Sequence, residues 1–366
     1  MSVLAIFCIA LLSIQIIYLG LFLFAFLQQG KAPVSSPRPV SIIVCAHDEV
    51  HNLRELVPIL LAQDHPQFEV IIVEDRCNDD TYDFLRAASI QDIRLKAVRV
   101  VHTPLHISGK KFALTLGIKA AKYDWVLLTD ADCRPVSKHW IARMSAEMDD
   151  RAQIVLGFSP YIKSKGVLNA FIRFESFLSG IQFIGFAMLG HPYMGVGRNL
   201  AYRRTLFLDN KGFNNHLSVM GGDDDLFVNQ YAVGSTTKIC IGADALMKSS
   251  PKTTWKEYYV QKLRHLSAGK HYKFSDKMIL GIFSLTWILN WLIVFPLSFL
   301  NPFTEWVLFV FGLRWILLIF LFHEASRKLG EPFEWWKVPF LDFIYTFYYL
   351  VIGLVALVSK KVRWKA

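Results

Sequence analysis

The chain has 366 residues, 53% of them hydrophobic and only 19% charged, with a formal net charge of +10. A soluble domain carries about 25% charged residues, so this composition excludes a wholly water-solvated protein and places part of the chain in lipid. Excess Lys and Arg in such a chain marks cytoplasmic loops, anionic lipid contact or a basic cleft for an anionic substrate rather than nucleic-acid binding.

Val3 to Leu27 is an apolar run broken only by Ser13, Gln15 and small residues, long enough for a membrane helix of roughly 20 residues. It lacks the basic start, short apolar core and small-residue cleavage site of a signal peptide, so it reads as a retained anchor, residues 1–30. Lys31 and Arg38 follow it, with Pro33, Pro37 and Pro39 as a linker, and this basic flank assigns the next domain to the cytoplasm.

Within a domain placed at residues 40–270, residues 40 to about 250 alternate short β-branched runs with helical patterns. Strands are predicted at Ser41–Cys45, Val70–Glu74, Leu95–Val101 and Trp125–Thr129. Their continuous apolar character suits a parallel sheet covered on both faces, an α/β doubly wound domain with ligands beyond the carboxyl ends of its strands. Val167–Leu189 is apolar and aromatic but carries Arg173 and Glu175, which predicts an amphipathic segment on the domain or the bilayer surface, or else an ordinary core helix.

Three more apolar segments follow, at Met278–Leu300, Phe303–Phe322 and Val338–Val358, with a turn at Asn301-Pro302 and a basic tail at 359–366. Three full crossings after a cytoplasmic domain would carry Lys360-Lys361-Val362-Arg363 outside, against the positive-inside rule, unless one segment is re-entrant or interfacial. Arg314, inside the second segment, pairs with Asp342, holds a lipid phosphate or faces water. Cys8, Cys45, Cys77, Cys133 and Cys240 show no metal-ligand or redox spacing, and no disulfide framework is expected.

The chemistry lies at the strand ends. Leu127-Leu128-Thr129-Asp130-Ala131-Asp132 runs from an apolar strand into two carboxylates one residue apart, oxygen ligands suited to Mg2+ or Mn2+ beside a substrate diphosphate. Val70–Val73 leads into Glu74-Asp75, where a carboxylate can accept hydrogen bonds from a nucleobase or ribose, while Asn78, Asp79 and Asp80 cap the next helix. Ser41–Cys45 leads into His47-Asp48-Glu49, whose turn can contact a nucleotide. Ser108-Gly109-Lys110-Lys111 opens a helical pattern whose N-terminus attracts phosphate, with Lys110 adding a charge. Gly195-Val196-Gly197-Arg198-Asn199 permits close backbone approach and offers directional donors. Gly221-Gly222-Asp223-Asp224-Asp225 is either a helix start or a source of a general base. Gln261-Lys262-Leu263-Arg264-His265 stands just before the first late apolar segment.

In this order the motifs resemble the membrane-bound branch of the inverting family 2 glycosyltransferases with the GT-A fold, the branch of cellulose synthase, hyaluronan synthase and ceramide glucosyltransferase, over roughly residues 40–270. The resemblance implies a donor site of Asp75, Glu49, Lys110, Asp130, Arg264 and Gln261 for a nucleotide sugar, a metal pair of Asp130 and Asp132 with Asp132 as direct ligand, and Asp223 or Asp224 as base. It assigns Gly197, Asn199 and His265 to the sugar and acceptor region, and implies a lipid or glycan acceptor and a bacterial cytoplasmic membrane. Three positions depart from the family pattern: His265 stands for a tryptophan, Glu74 for an aspartate and Asp48 for an asparagine. The first departure speaks against processive polymer synthesis. A polyprenyl-phosphate acceptor and a non-catalytic nucleotide-sugar-binding membrane protein are the competing readings.

Overall fold

The computed structural model describes residues 3–30, 36–105, 107–217, 219, 221–299 and 304–358. Lys31, Pro33, the Asn301-Pro302 turn and the basic tail lie outside the described residues. The chain opens with helix α1 (Val3–Gln28). It then alternates strand and helix: β1 (Val40–Ala46), α2 (Val50–Leu61), β2 (Phe68–Asp75), α3 (Thr81–Gln91), β3 (Leu95–Val100), α4 (Gly109–Ala120) and β4 (Trp125–Asp130). Shorter pieces follow: β5 (Cys133–Pro135), α5 (Trp140–Ser145), β6 (Ile154–Gly157), the long α6 (Val167–Met188), β7 (Leu200–Arg203), α7 (Arg204–Asp209), α8 (Asp225–Tyr231), β8 (Thr237–Cys240) and β9 (Met247–Ser249). Helices α9 (Trp255–Ala268), α10 (Phe274–Leu289), α11 (Phe295–Ser298), α12 (Thr304–Leu329) and α13 (Val338–Val358) complete it, with a π-helical stretch, Asn290–Val294, joining α10 to α11.

The main sheet has seven strands in the order β3-β2-β1-β4-β7-β6-β8. The four predicted strands form its parallel half, β1 lying between β2 and β4 with Ile43 opposite both Ile71 and Leu128. The all-parallel expectation needs correction beyond β4, because β7 pairs antiparallel with β4 and with β6. β3 is also not covered on both faces: it is the edge strand, and only Leu95 and Val100 are buried. Helix α4 packs tightly on the sheet; a Cβ at Gly117 would stand 2.7 Å from Ile43 Cγ2 and 2.8 Å from Val73 Cγ2.

Helix α6 corrects the surface-segment alternative in favour of a core helix. Phe171, Phe174, Phe177, Ile181 and Ile184 are buried, and the two charges that interrupt the run are paired inside the protein. Arg173 donates to Glu334 Oε2 (3.0 Å) and to the Pro332 carbonyl (2.7 Å) and ion-pairs with Glu331. Glu175 accepts from Tyr258 (3.0 Å) and ion-pairs with Lys262.

Among the described residues, four helical segments are long and apolar enough to cross a membrane: Val3–Gln28, Phe274–Ser298, Glu305–Leu329 and Trp335–Ala356. Arg314 pairs with Asp342, as the first of its sequence readings has it, through contacts of 2.8 and 3.2 Å with both side chains fully buried. The indoles of Trp291 and Trp315 donate to the same carboxylate at 3.1 and 3.0 Å. All five cysteines are free.

Candidate active site

The carboxyl ends of β1, β2 and β4 open on one cleft, because three adjacent parallel strands deliver their terminal residues to the same edge of the sheet. Lys110, in the first turn of α4, bridges two acids there: its Nζ lies 3.0 Å from Asp130 Oδ1 and 3.3 Å from Asp223 Oδ2. Although enclosure opposes it, the charges of Asp130, Asp223 and Asp224 hold the Lys110 ammonium well above its ordinary range, so it stays protonated. The same ammonium outweighs burial at Asp130 and keeps that carboxyl below its usual value. Asp132 goes the other way, raised by burial and by the neighbouring Asp130 charge.

Asp130, Asp132 and Cys133 each bring one ligand atom within 4.8 Å of the others. Burial pushes the Cys133 thiol far up, which leaves two carboxylates as the working donors. Two hard oxygen ligands beside open cleft fit Mg2+ or Mn2+ completed by a substrate diphosphate, and they do not fit a soft thiolate metal.

The acidic run is presented by Gly221 (φ 81°) and Gly222 (φ 73°), consecutive left-handed residues that only glycine adopts without strain. The three acids then separate in role. Asp223 faces Lys110. Asp224 is a clasp: Oδ2 accepts from the Gly197 N–H (2.6 Å) and Oδ1 from the Asp225 N–H (2.8 Å). Asp225 turns away to accept from the Tyr272 hydroxyl (2.9 Å), and burial, then the Asp224 charge, push its carboxyl up to about 8.

Asp75 is nearly buried, and Arg76 holds it with Nε 2.8 Å from Oδ1 and Nη2 3.1 Å from Oδ2. Arg76, which the sequence reading passed over, has a left-handed backbone (φ 54°) that folds its side chain back on Asp75; its place directly after a buried strand and before Asn-Asp-Asp is the signal that could have found it. His47 Nδ1 lies 2.5 Å from the Asp75 carbonyl oxygen. Glu49 sits at the start of α2 and accepts from Asn52 Nδ2 (2.6 Å). Of the three residues expected to cap α3, Asp79 accepts from the N–H of Thr81 at its start and also from that of Val50 at the start of α2, whereas Asp80, at the N-cap of α3, makes no side-chain cap hydrogen bond.

The far wall is basic. Arg198 stacks 4.5 Å over the Tyr161 ring and acts electrostatically on both Asp130 and Asp132; its Nη1 is buried without a hydrogen-bond partner. Gln261 donates to Tyr161 (3.4 Å), and Arg264 and His265 follow one turn along α9. Enclosure, then the charges of Lys262, Arg264, Arg198 and Lys110, hold the His265 imidazole well below the usual range. Asn199 is the residue the cleft does not receive. It is fully buried, its Oδ1 accepting from Trp140 Nε1 and its Nδ2 donating to the carbonyls of Phe158 and Ala245, so it locks β7 to its neighbours and offers nothing to a ligand.

Residues 41–209 match the family model described as Glycosyl transferase family 2. It is similar to the poly-beta-1,6-N-acetyl-D-glucosamine synthase of Staphylococcus epidermidis, 29% identical over 97 residues, 25% of this chain and 21% of that one. It is also similar to the glycosyltransferase GlyG of Streptococcus pneumoniae, 26% identical over 140 residues, 38% of this chain and 45% of that one. The chain thus spans less than half the length of either relative. In fold it follows the mannosyltransferase PcManGT of Pyrobaculum calidifontis, solved with GDP-Man and Mn2+, at a TM-score of 0.62 and 17% identity, over 98% of this chain and 100% of that one.

Proposed function

From a domain that matches the family 2 model and is set on apolar helices, we propose that the chain transfers a glycosyl group from a nucleotide sugar, a UDP-sugar first, to a membrane-associated lipid or glycan acceptor with inversion at the anomeric carbon. Residues 40–270 form the catalytic domain in this reading, 1–30 the anchor and 278–358 the membrane region, with catalysis on the cytoplasmic face of a bacterial membrane. The observation that carries it is Lys110 between Asp130 and Asp223, which joins the metal-type acids to a candidate base across one cleft.

In this mechanism Asp223 takes the proton of an acceptor hydroxyl as its oxygen attacks the anomeric carbon. The bond from that carbon to the diphosphate oxygen breaks, and Lys110 and Arg264 meet the charge left on the nucleoside diphosphate. Mg2+ or Mn2+, held by Asp132 and Asp130, would supply Lewis-acid stabilisation of that diphosphate. Asp75 and Glu49 serve the nucleoside, which requires the Asp75–Arg76 pair to open or to bind the base as a unit. Gln261 lines the donor side, and Gly197 and His265 the sugar and acceptor side.

The basic wall favours a second acceptor class. Lys262, Arg264, Arg198 and Lys110 all act on His265, an arrangement suited to an anionic polyprenyl phosphate that needs little deprotonation. The test is release of nucleoside diphosphate from a panel of UDP- and GDP-sugars by detergent-purified protein with native lipid extract and Mn2+, beside Asp132→Ala. Metal-dependent release from one donor, lost in the variant, supports the transferase. Folded wild-type protein that binds no donor and releases nothing points to a non-catalytic role, and a product that retains the donor's anomeric configuration rules out the single displacement. With a phosphate acceptor, Asp223→Asn costs far less turnover than Asp132→Ala.

A further inference from the structure

Helices α1 and α12 run side by side in one direction. Lys328 Nζ donates to the Gln29 carbonyl at the end beside the catalytic domain, and Cys8 and Leu11 cluster with Val307 and Phe311 at the far end. Helix α10 runs against them: Tyr18 donates to the Ile279 carbonyl (2.9 Å), Gln15 donates to Thr286 (2.7 Å), and Trp291 joins the far cluster. The N-terminus of α10 is fixed to the catalytic domain, where Asp276 accepts from Asn229 (2.7 Å) and meets His191 (2.7 Å). That end of the bundle is its domain side.

Helix α12 therefore delivers the chain to the domain side, and the residues after it stay there. Gly330 lies so close to the Gly242 and Ala243 backbone that a Cβ would collide with it. Glu331 ion-pairs with Arg173 (3.3 Å) and Lys248 (2.8 Å), and Glu334 with Arg173 (3.0 Å) and Lys163. A further crossing from this point would run antiparallel to α12, and so in the same direction as α10.

The contacts of α13 show the reverse. Phe343 is 5.0 Å from Trp291, Tyr345 is 5.9 Å from Trp287, and Tyr349 shares a hydrogen bond with Ser284. Helix α13 thus climbs toward the domain as the α10 numbering falls. Its first turns lie deep: Asp342 binds Arg314, fourteen residues or about 21 Å of helix before Lys328. Its later turns reach the catalytic domain, where Tyr348 stacks on Tyr258 of α9 (5.9 Å). The connection descends to that depth along α12. Phe333 packs 5.3 Å from Phe322, and Arg314 lies eight residues, about 12 Å, below Phe322. The nine residues from Phe333 to Asp342 are long enough to cover that distance.

We propose that residues 330–358 form a re-entrant element: they enter the apolar bundle from the domain side, turn at the Arg314–Asp342 pair, and return to the same side as α13. Non-helical backbone is tolerated at membrane depth where protein covers it, and here Phe333, Val338 and Leu341 are buried. The buried ion pair then has a role. Its carboxylate also accepts from Trp291 (3.1 Å) and Trp315 (3.0 Å), so the pair clamps the turning point, where either charge alone would be costly. Three crossings remain, formed by α1, by α10 with α11, and by α12. The chain leaves Val358 on the domain side, and the basic run Lys360-Lys361-Val362-Arg363 that follows in sequence obeys the positive-inside rule.

Two measurements on the full-length protein in lipid vesicles test this. The first is pulsed dipolar spectroscopy of spin-labelled Leu354→Cys paired with Phe309→Cys or Phe320→Cys, all exposed positions, in a chain whose native cysteines are replaced by alanine. Phe309 and Phe320 are eleven residues apart, about 16 Å of helix. Leu354 should lie nearer Phe320 than Phe309, by up to that length. Equal distances or the reverse order overturn the proposal. The second is an epitope appended after Ala366 of the otherwise native chain, in sealed vesicles of each orientation. Protease should remove it only from the face that exposes the catalytic domain; removal from the opposite face overturns the proposal.

Discussion

Asp223 and Asp224 are adjacent in sequence and divided by their hydrogen bonds. Both Asp224 oxygens are taken by backbone donors, whereas Asp223 faces the Lys110 ammonium. Asp223→Asn should therefore cut kcat by about 10²–10⁴-fold for a hydroxyl acceptor with donor Kd and Tm almost unchanged. Asp224→Ala should lose about 1–3 kcal/mol of stability through the orphaned N–H groups before any chemistry is read. Turnover measured beside thermal unfolding separates the two, and a kcat loss confined to Asp224→Ala would transfer the base to that residue. Asp225 adds a pH signature. Its carboxyl is raised from 3.8 to about 8 by burial first and the Asp224 charge second, so the fold favours its protonated form. That contribution is complete below about pH 4 and is lost as pH rises through 8. Tm should fall between pH 5 and 9 in the native chain, and Asp225→Asn, which cannot ionise, should flatten that decline.

At the scale of elements, what could be read from the sequence follows from how burial writes itself into the chain. β1, β2 and β4 lie inside the sheet, so each is a continuous apolar run, and their acidic ends mark the cleft directly. β6 and β7 are four residues each and leave no period to detect, which is why the antiparallel half of the sheet was hidden. The charges of α6 suggested a surface because their partners, Glu331, Glu334 and Lys262, lie 87 or more residues away in sequence. Asn199 was misplaced for a related reason: a polar residue beside glycines reads as a ligand contact until Trp140, Phe158 and Ala245 are seen to saturate it. The α4 contact carries its own prediction. Gly117→Ala forces a methyl into Ile43 and Val73, which belong to a rigid sheet, and should cost about 1–3 kcal/mol. Since Lys110 rides on the same helix, donor affinity measured by calorimetry should fall with stability. A fully stable Gly117→Ala with weakened donor binding would mean instead that α4 shifts as a body.

For the molecule as a whole, α6 is the shared floor of two regions that the sequence presents as separate. One stretch of it packs under the catalytic sheet, with Phe158 of the strand region against Phe177 at 5.7 Å. Its other contacts belong to the long apolar helices: Phe322 on α12, Tyr345 on α13 and Phe22 on α1. The main hydrophobic cluster accordingly runs without a break from Ile43 and Leu128 in the sheet to Leu321 and Leu341 in the apolar helices. A domain that shares its core in this way cannot be cut free. Residues 36–272 expressed alone would turn Phe171, Phe174, Ile181 and Phe186 toward water as one patch, more than a soluble monomer tolerates. Size-exclusion chromatography without detergent should find this fragment aggregated, and detergent should return it to a monodisperse form with measurable donor binding. A fragment that is monodisperse and binds donor in plain buffer would mean that α6 closes over the domain by itself and that the membrane helices are only an anchor. Aggregation rescued by detergent would make them part of the catalytic domain's folded core, so that lipid contact and active-site geometry are set by the same helix.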